Sequence, residues 1–174
     1  MEITENRIFL LGFMGCGKSY WGTQIANELG LKWIDLDEYI ENKTSKTIKE
    51  IFEKEGETAF RKIEKEALEE MALFNNVVIS LGGGTPCFFE NMEFIKRSGI
   101  SFYLKTDSKT LVHRLQSEKI KRPLLAQLSD AALFNFIENK VNKRSVFYEK
   151  AAFIINTEQA DILSFIKKLL LKKV

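Results

Sequence analysis

Short uninterrupted apolar runs alternate along the chain with longer stretches whose apolar residues recur at helical spacing. The run at residues 8–11 (Ile-Phe-Leu-Leu) ends at Gly12 and has no polar alternation, the pattern of a strand buried on both faces. Residues 18–29 then predict a helix closed by Gly30, and residues 33–36 a second strand. Thr47-Ile48-Lys49-Glu50 has the form of a capping box and opens a short helix that stops at Gly56. Residues 57–73 predict a longer helix, with Phe60, Ile63, Ala67 and Met71 on one face. A third strand at 77–81 runs into three glycines. A helix near 89–97 stops before Gly99, a fourth strand covers 100–104, and 108–117 is helical. From Ser117 to Arg122 the chain is polar without an apolar face, which predicts a mobile loop. A long helix at 130–150, a fifth strand at 153–155 and a closing helix at 160–173 complete the pattern. Strand–helix alternation of this kind predicts one α/β domain, a parallel sheet covered on both faces, with no internal repeat or linker.

Composition narrows what such a domain does. A chain of 174 residues buries roughly 70% of its unfolded surface and needs no staples to fold. Lys plus Arg number 26 against 24 Asp plus Glu, a net +2 that gives no support to a general nucleic-acid binder. Two cysteines, Cys16 and Cys87, form neither a disulfide framework nor a tetrahedral zinc site, and the single His113 excludes any centre needing two imidazoles. No apolar run approaches the ~20 residues of a membrane span. The polar, acidic start Met-Glu-Ile-Thr-Glu-Asn is unlike a signal peptide. The expectation is a cytoplasmic protein with no membrane or nucleic-acid partner. The C-terminal Lys167, Lys168, Lys172 and Lys173 alternate with Leu163, Ile166, Leu169 and Leu170, which reads as an amphipathic helix docked on the core.

The most specific chemistry lies after the first strand. Gly12-Phe13-Met14-Gly15-Cys16-Gly17-Lys18-Ser19 fits G-x-x-x-x-G-K-[ST], between a buried strand and a helix. Glycines let successive N–H groups converge on one phosphate, and the helix presents its positive end to the same anion. Lys18 supplies a point charge to the β- and γ-phosphates, and the Ser19 hydroxyl suits Mg²⁺. A nucleoside triphosphate is therefore expected here. Cys16 reads as a small filler rather than a redox switch. Neither Asn42-Lys43 nor Asn139-Lys140 is followed two residues on by Asp, which excludes the guanine-reading motif of GTPase switches. The third strand ends without the carboxylate of motor ATPases.

Further candidates surround that motif. Asp35-Leu36-Asp37 ends the second strand, and two carboxylates two residues apart in a strand share a face. One could serve Mg²⁺ through water and the other hold an acceptor hydroxyl; helix capping by Asp37 is the alternative. Arg61 and Glu64 are helical neighbours at i and i+3, so the carboxylate could pose the guanidinium for an acidic ligand. Gly82-Gly83-Gly84 predicts a close approach of backbone to ligand. Arg122, on the polar loop, suits a lid that swings over phosphates, and Arg144 is a second candidate anion clamp.

Together GFMGCGKS, IDLDEYIE, IFEKEGETAFRKIE, SLGGG, RPLL and KRSVFYEKAAFIINT, in this order and spacing, closely resemble the shikimate kinases. The resemblance runs through nearly the whole chain. It implies a three-layer α/β/α P-loop kinase fold with a five-stranded parallel sheet in the order 2-3-1-4-5. It also implies transfer of the γ-phosphoryl of ATP to the 3-hydroxyl of shikimate, with Mg²⁺, in the pathway to chorismate and the aromatic amino acids. Carried over by motif, Gly15, Cys16, Gly17, Lys18, Ser19, Tyr20, Arg114 and Arg122 would bind ATP, with Arg114 near adenine. Ser19 would ligate the metal, and Asp35 would assist it through water. Asp37, Phe52, Phe60, Arg61, Gly82, Gly83, Gly84 and Arg144 would bind shikimate. Lys18, Asp37 and Arg122 would be catalytic, with Asp37 a base or an orienter of the hydroxyl. The expected organisation is a single domain over 1–174, with an acceptor region at about 37–64 and a mobile lid at about 115–125, acting as a monomer. The alternatives are a related small-molecule kinase, such as one for gluconate, and a nucleotide-binding regulator without turnover.

Overall fold

A computed structural model describes residues 7–118, 125, 128–158 and 161–171. Five parallel strands form one sheet: β1 (Arg7–Leu11), β2 (Lys32–Asp35), β3 (Val77–Ser80), β4 (Ile100–Lys105) and β5 (Phe153–Asn156). Their order is β2-β3-β1-β4-β5, as the family resemblance implies. The register places Leu10 beside Ser80 on one flank and beside Phe102 on the other. Seven helices follow among the described residues: α1 (Lys18–Leu29), α2 (Leu36–Thr44), α3 (Ile48–Met71), α4 (Asn91–Ser98), α5 (Ser108–Glu118), α6 (Asp130–Tyr148) and α7 (Ile162–Leu171).

Strand alternation divides the core in two. Ile8 and Leu10 of β1 join Phe102 and Leu104 of β4 in a cluster with Ile25 of α1 and Leu111 of α5. Phe9 and Leu11 face the other way, into a cluster with Ile40 of α2, Leu68 of α3 and Ile95 of α4. Every β1 residue is therefore buried, and the continuous apolar run records two helical layers rather than one. Ile162 and Ile166 of α7 enter the first cluster, so Lys167 and Lys168 do ride on a docked amphipathic helix, while Lys172 and Lys173 lie outside the described residues.

Two expectations change in detail. The second strand stops at Asp35, and Leu36 is already the first residue of α2. Asp35 and Asp37 therefore do not share a strand face. Asp35 is the helix cap: its Oδ1 accepts from the Asp37 N–H at 3.0 Å. Capping thus falls to Asp35, not to Asp37, because the chain turns one residue earlier than the apolar run suggests. At Gly56 the helix breaks as expected but does not end. The backbone takes φ 82° and ψ 170° and resumes at once, leaving two arms of α3 across a kink. The first arm opens with the expected capping box, Thr47 and Glu50 bonding each other's backbone N–H. A one-turn 3₁₀ segment, Thr85–Cys87, follows the glycine run and was not legible as an element in the sequence.

Candidate active site

The site lies beyond the carboxyl ends of β1, β2 and β3, where an open α/β sheet presents its ligand crevice. A cleft of about 900 Å³ opens there. Gly15, Gly17, Lys18, Ser19 and Tyr20 form one wall, and Asp35, Asp37, Gly82 and Gly83 the other. Arg114 of α5 closes the end, its guanidinium donating to the Gly15 carbonyl at 3.1 Å. Met14, Trp21 and His113 also line the cleft, and none of them was a candidate site residue.

The nucleotide-facing wall is main chain. Gly17 caps α1 in the left-handed region, at φ 95°, with no side-chain cap on the helix's first turn. A helix start of this kind offers its N–H groups and positive dipole end to an anion. The Lys18 ammonium donates to the carbonyls of Gly12 and Phe13, at 2.9 and 3.0 Å, so it is held inside the loop it serves. Cys16 is buried with its thiol packed against Gly12, as a filler would be. Ser80 accepts from the Trp33 indole and donates to the Lys18 carbonyl, both at 3.0 Å. That pair ties β2 and β3 to the start of α1. Tyr20 is 62% exposed, edge-on to Trp21 with ring centroids 5.0 Å apart.

Between the two walls, the Ser19 hydroxyl donates to Asp35 Oδ2 at 3.0 Å. Next to them Asp37 is partly buried. Its carboxyl is pushed up to about 6, first by burial and then by the charges of Asp35 and Glu64, against the opposing pull of Lys18 and Arg61. A carboxylate so placed is ionised at neutral pH yet far more basic than one in water.

The side of the crevice that carries Asp37 and the glycine run is backed by buried side chains. Arg61 and Glu64 are no solvated pair: Arg61 is 8% exposed and Glu64 1%. The guanidinium donates to Glu64 Oε2 at 2.8 Å and to Glu57 at 3.2 Å. It lies over the Phe88 ring at 4.2 Å and the Phe60 ring at 5.0 Å. Phe52 meets Phe60 across the Gly56 kink, with centroids 4.6 Å apart. Gly84 is a close approach of backbone to this group, since a Cβ there would stand 2.7 Å from Arg61 Nη1. Arg144 lies over the Phe13 ring at 5.5 Å, and its Nη1 is 3.3 Å from where a Gly83 Cβ would be. The buried Tyr148 hydroxyl donates to the Gly83 carbonyl. A Cβ on Gly82 would meet Asp37 Oδ1 at 2.9 Å and Glu64 Oε1 at 3.0 Å, so Asp37 and the Arg61 group converge on one point of the glycine run.

Of the residues singled out in the sequence, Gly15, Gly17, Lys18, Ser19, Tyr20, Asp35, Asp37, Gly82, Gly83 and Arg114 line the cleft itself. Cys16 is buried within the loop, Arg61 and Arg144 pack against the glycine run at Gly84 and Gly83, and Phe52 and Phe60 pack against Arg61. Arg122 lies outside the described residues, with most of the expected lid. Glu57, Thr85, Phe88 and Tyr148 were missed as site residues. Tyr148 sits within KRSVFYEK, and Thr85 directly follows the third glycine, but neither spacing nor residue type marks them.

Known proteins resolve the choice among kinases of this architecture. The family model described as shikimate kinase matches residues 14–172. A shikimate kinase of Bacteroides fragilis is 47% identical over 148 residues, 85% of this chain and 83% of its own length. One of Bacteroides thetaiotaomicron is 44% identical over 155 residues, 89% of each chain. Among solved structures, shikimate kinase from Bacteroides thetaiotaomicron superposes with a TM-score of 0.91 at 40% identity, covering 97% of this chain and 99% of the other. Shikimate kinase from Acinetobacter baumannii in complex with shikimate gives 0.87 at 36%, covering 97% and 94%. A gluconokinase from Sinorhizobium meliloti reaches only 0.58 at 15% identity over 97% and 91%, which is a likeness of fold alone. With the family model spanning most of its length and relatives at this level of identity, the chain belongs to the shikimate kinase family.

Proposed function

We propose that this chain transfers the γ-phosphoryl group of ATP to the 3-hydroxyl of shikimate, yielding shikimate 3-phosphate and ADP on the way to chorismate. The observation that supports this reading best is the convergence of two unlike walls on one crevice. One is a main-chain phosphate cradle ending in Lys18, and the other the basic carboxylate of Asp37, which lines the cleft and feels the charge of the desolvated Arg61. Shikimate carries one carboxylate and three hydroxyls, the chemistry that arginines and an aspartate recognise.

In this reading the loop from Gly12 to Ser19 and Arg114 hold ATP, with Tyr20 at the cleft wall. Arg61, Arg144 and the backbone of Gly82, Gly83 and Gly84 hold the acceptor carboxylate and ring, while Phe52 and Phe60 cover its apolar side. Asp37 accepts the hydrogen bond of the 3-hydroxyl and aligns its oxygen with the γ-phosphorus. As the new P–O bond forms and the bond to the bridging oxygen of ADP breaks, the hydroxyl proton leaves, and the raised basicity of Asp37 suits it to receive that proton. Lys18 follows the charge that develops on the β- and γ-oxygens. Positioning and charge compensation carry most of such a reaction.

The donor set fits magnesium. Ser19 and Asp35 are hard oxygen donors 3.0 Å apart beside the phosphate cradle, and no cluster of three or more His, Cys, Asp or Glu suited to a tighter metal site occurs among the described residues. Mg²⁺ keeps several waters and takes few protein ligands. When bound, it neutralises charge on the transferring phosphates.

We assign one domain over the chain and an acceptor region at about 37–64, and we assign Arg122, which lies outside the described residues, to the phosphates as its motif implies. We assign a monomer, and the demand for ATP fits the cytoplasm. A coupled assay for ADP release tests the proposal. With Mg²⁺ and ATP, shikimate should drive release and gluconate should not. Folded protein that binds ATP but releases no ADP on adding shikimate would leave the regulator reading; release driven by gluconate would make the acceptor wrong.

A further inference from the structure

The turn that closes the glycine run does more than admit a ligand to the backbone. Thr85 is fully buried, and its hydroxyl donates to Glu64 Oε1 at 2.6 Å. Glu64 is itself 1% exposed, and its other oxygen accepts from Arg61 at 2.8 Å. A buried carboxylate needs donors on both oxygens, since an unpartnered charged oxygen away from water costs several times what a satisfied one does. Thr85 fills that need from a rigid place. Its N–H donates to the Gly82 carbonyl at 3.1 Å, and its carbonyl accepts from the buried Asn91 side chain at 2.9 Å. Asp37 adds urgency, for its Oδ1 and Glu64 Oε1 both lie within 3.0 Å of the same point beside Gly82. Two carboxylates so close repel, and a hydroxyl clamped on Glu64 holds it toward Arg61.

The geometry points to Thr85 as a positioning residue for the acceptor: the chain Asn91–Thr85–Glu64–Arg61 sets the pose in which the guanidinium meets the substrate carboxylate. This inference rests on the proposed role of Arg61 in holding that carboxylate. Thr85 does not itself touch the substrate. It acts through Glu64, while the adjoining Gly84 leaves the room that Arg61 occupies.

Steady-state kinetics of the full chain with Mg²⁺, ATP and shikimate test it, comparing the parent with Thr85→Val, Thr85→Ser and Arg61→Lys. Valine keeps the shape and removes the donor. It should raise KM for shikimate about tenfold, with KM for ATP and kcat within about threefold of the parent. Serine restores the hydroxyl and should return KM to within about threefold of the parent. Arg61→Lys keeps a cation beside Glu64 but loses the planar fork, and should raise the same KM. If Thr85→Val leaves KM for shikimate unchanged while Arg61→Lys raises it, the relay is wrong and the acceptor reading survives. If neither variant moves it, the carboxylate role of Arg61 falls, and the relay with it. A melting temperature lowered by valine with KM unaltered, or a serine variant as impaired as valine, also overturns the relay. Should valine prevent folding, Thr85→Ala takes its place with the same expectations.

Discussion

The two walls of the crevice are made in different ways. The phosphate wall is eight consecutive residues, and its working groups are main-chain N–H donors plus one lysine tethered to its own loop. The acceptor wall draws Asp37 from α2, Arg61 and Glu64 from α3, three glycines after β3, and Arg144 and Tyr148 from α6. The first wall is local, so its geometry follows from backbone conformation. The second is a packing problem, and its charges are meaningful only because neighbours from distant segments bury and pair them. In the proposed reading, a phosphate tail common to many reactions is met by backbone, whereas one particular acceptor is met by side chains whose desolvation makes each contact selective.

Breaking the acceptor wall should cost more than chemistry at its surface suggests. Asp37→Asn keeps the shape and removes the basic oxygen; kcat should fall about 10²- to 10⁴-fold while ATP affinity, measured by titration, barely moves. An equal loss of ATP affinity would merge the two walls into one functional unit. Arg61→Ala should weaken shikimate by about 2–5 kcal/mol in KM terms. It should also destabilise the fold, because Glu64 at 1% exposure is left as a buried charge without its arginine; thermal melting against Arg61→Lys separates the two effects.

The pH dependence sharpens the contrast. Since Asp37 must be ionised to hold the hydroxyl, kcat/KM for shikimate should fall as pH drops through about 6. The stability effect has the opposite sign. The folded carboxyl keeps its proton up to about 6, whereas the unfolded one releases it near 3.8, so the folded state binds more protons between those values. Its contribution therefore disfavours folding as pH rises across that window. Asp37→Asn should abolish both trends, and a parent profile flat down to pH 4.5 would place the basic group elsewhere. The smallest effect is expected at the start of α3. Thr47→Ala removes the capping box of α3 and should cost about 1 kcal/mol in denaturant melts, with both KM values unchanged. A rise in KM for shikimate there would mean that the first arm of α3, which carries Phe52, shapes the acceptor wall more tightly than its packing implies.

Local signals account for much of what could be read in advance. The five strands, the Gly30 stop, the capping box and the break at Gly56 each rest on a few adjacent residues, and each lies within a residue or two of its expected place. The phosphate loop was legible for the same reason. The boundary at Asp35 was not, because Leu36 is apolar whether it ends a strand or starts a buried helix, and only α2 packing on α3 decides between them. Likewise, i and i+3 spacing made Arg61 and Glu64 neighbours but could not say whether water surrounds them.

The order of glycines, lysine and serine after a buried strand was sufficient to specify a phosphate cradle, since backbone conformation and the adjoining helix start are properties of a short contiguous segment. What the tertiary structure alone decided is the worth of the charges facing it. Burial of Glu64, the hydroxyl of Thr85 on its second oxygen, the Phe88 ring beneath Arg61 and the crowding of Asp37 by two carboxylates all depend on segments far apart in the chain. Electrostatic strength depends on the surrounding dielectric, and that is set by what packs around a group rather than by what precedes it in sequence.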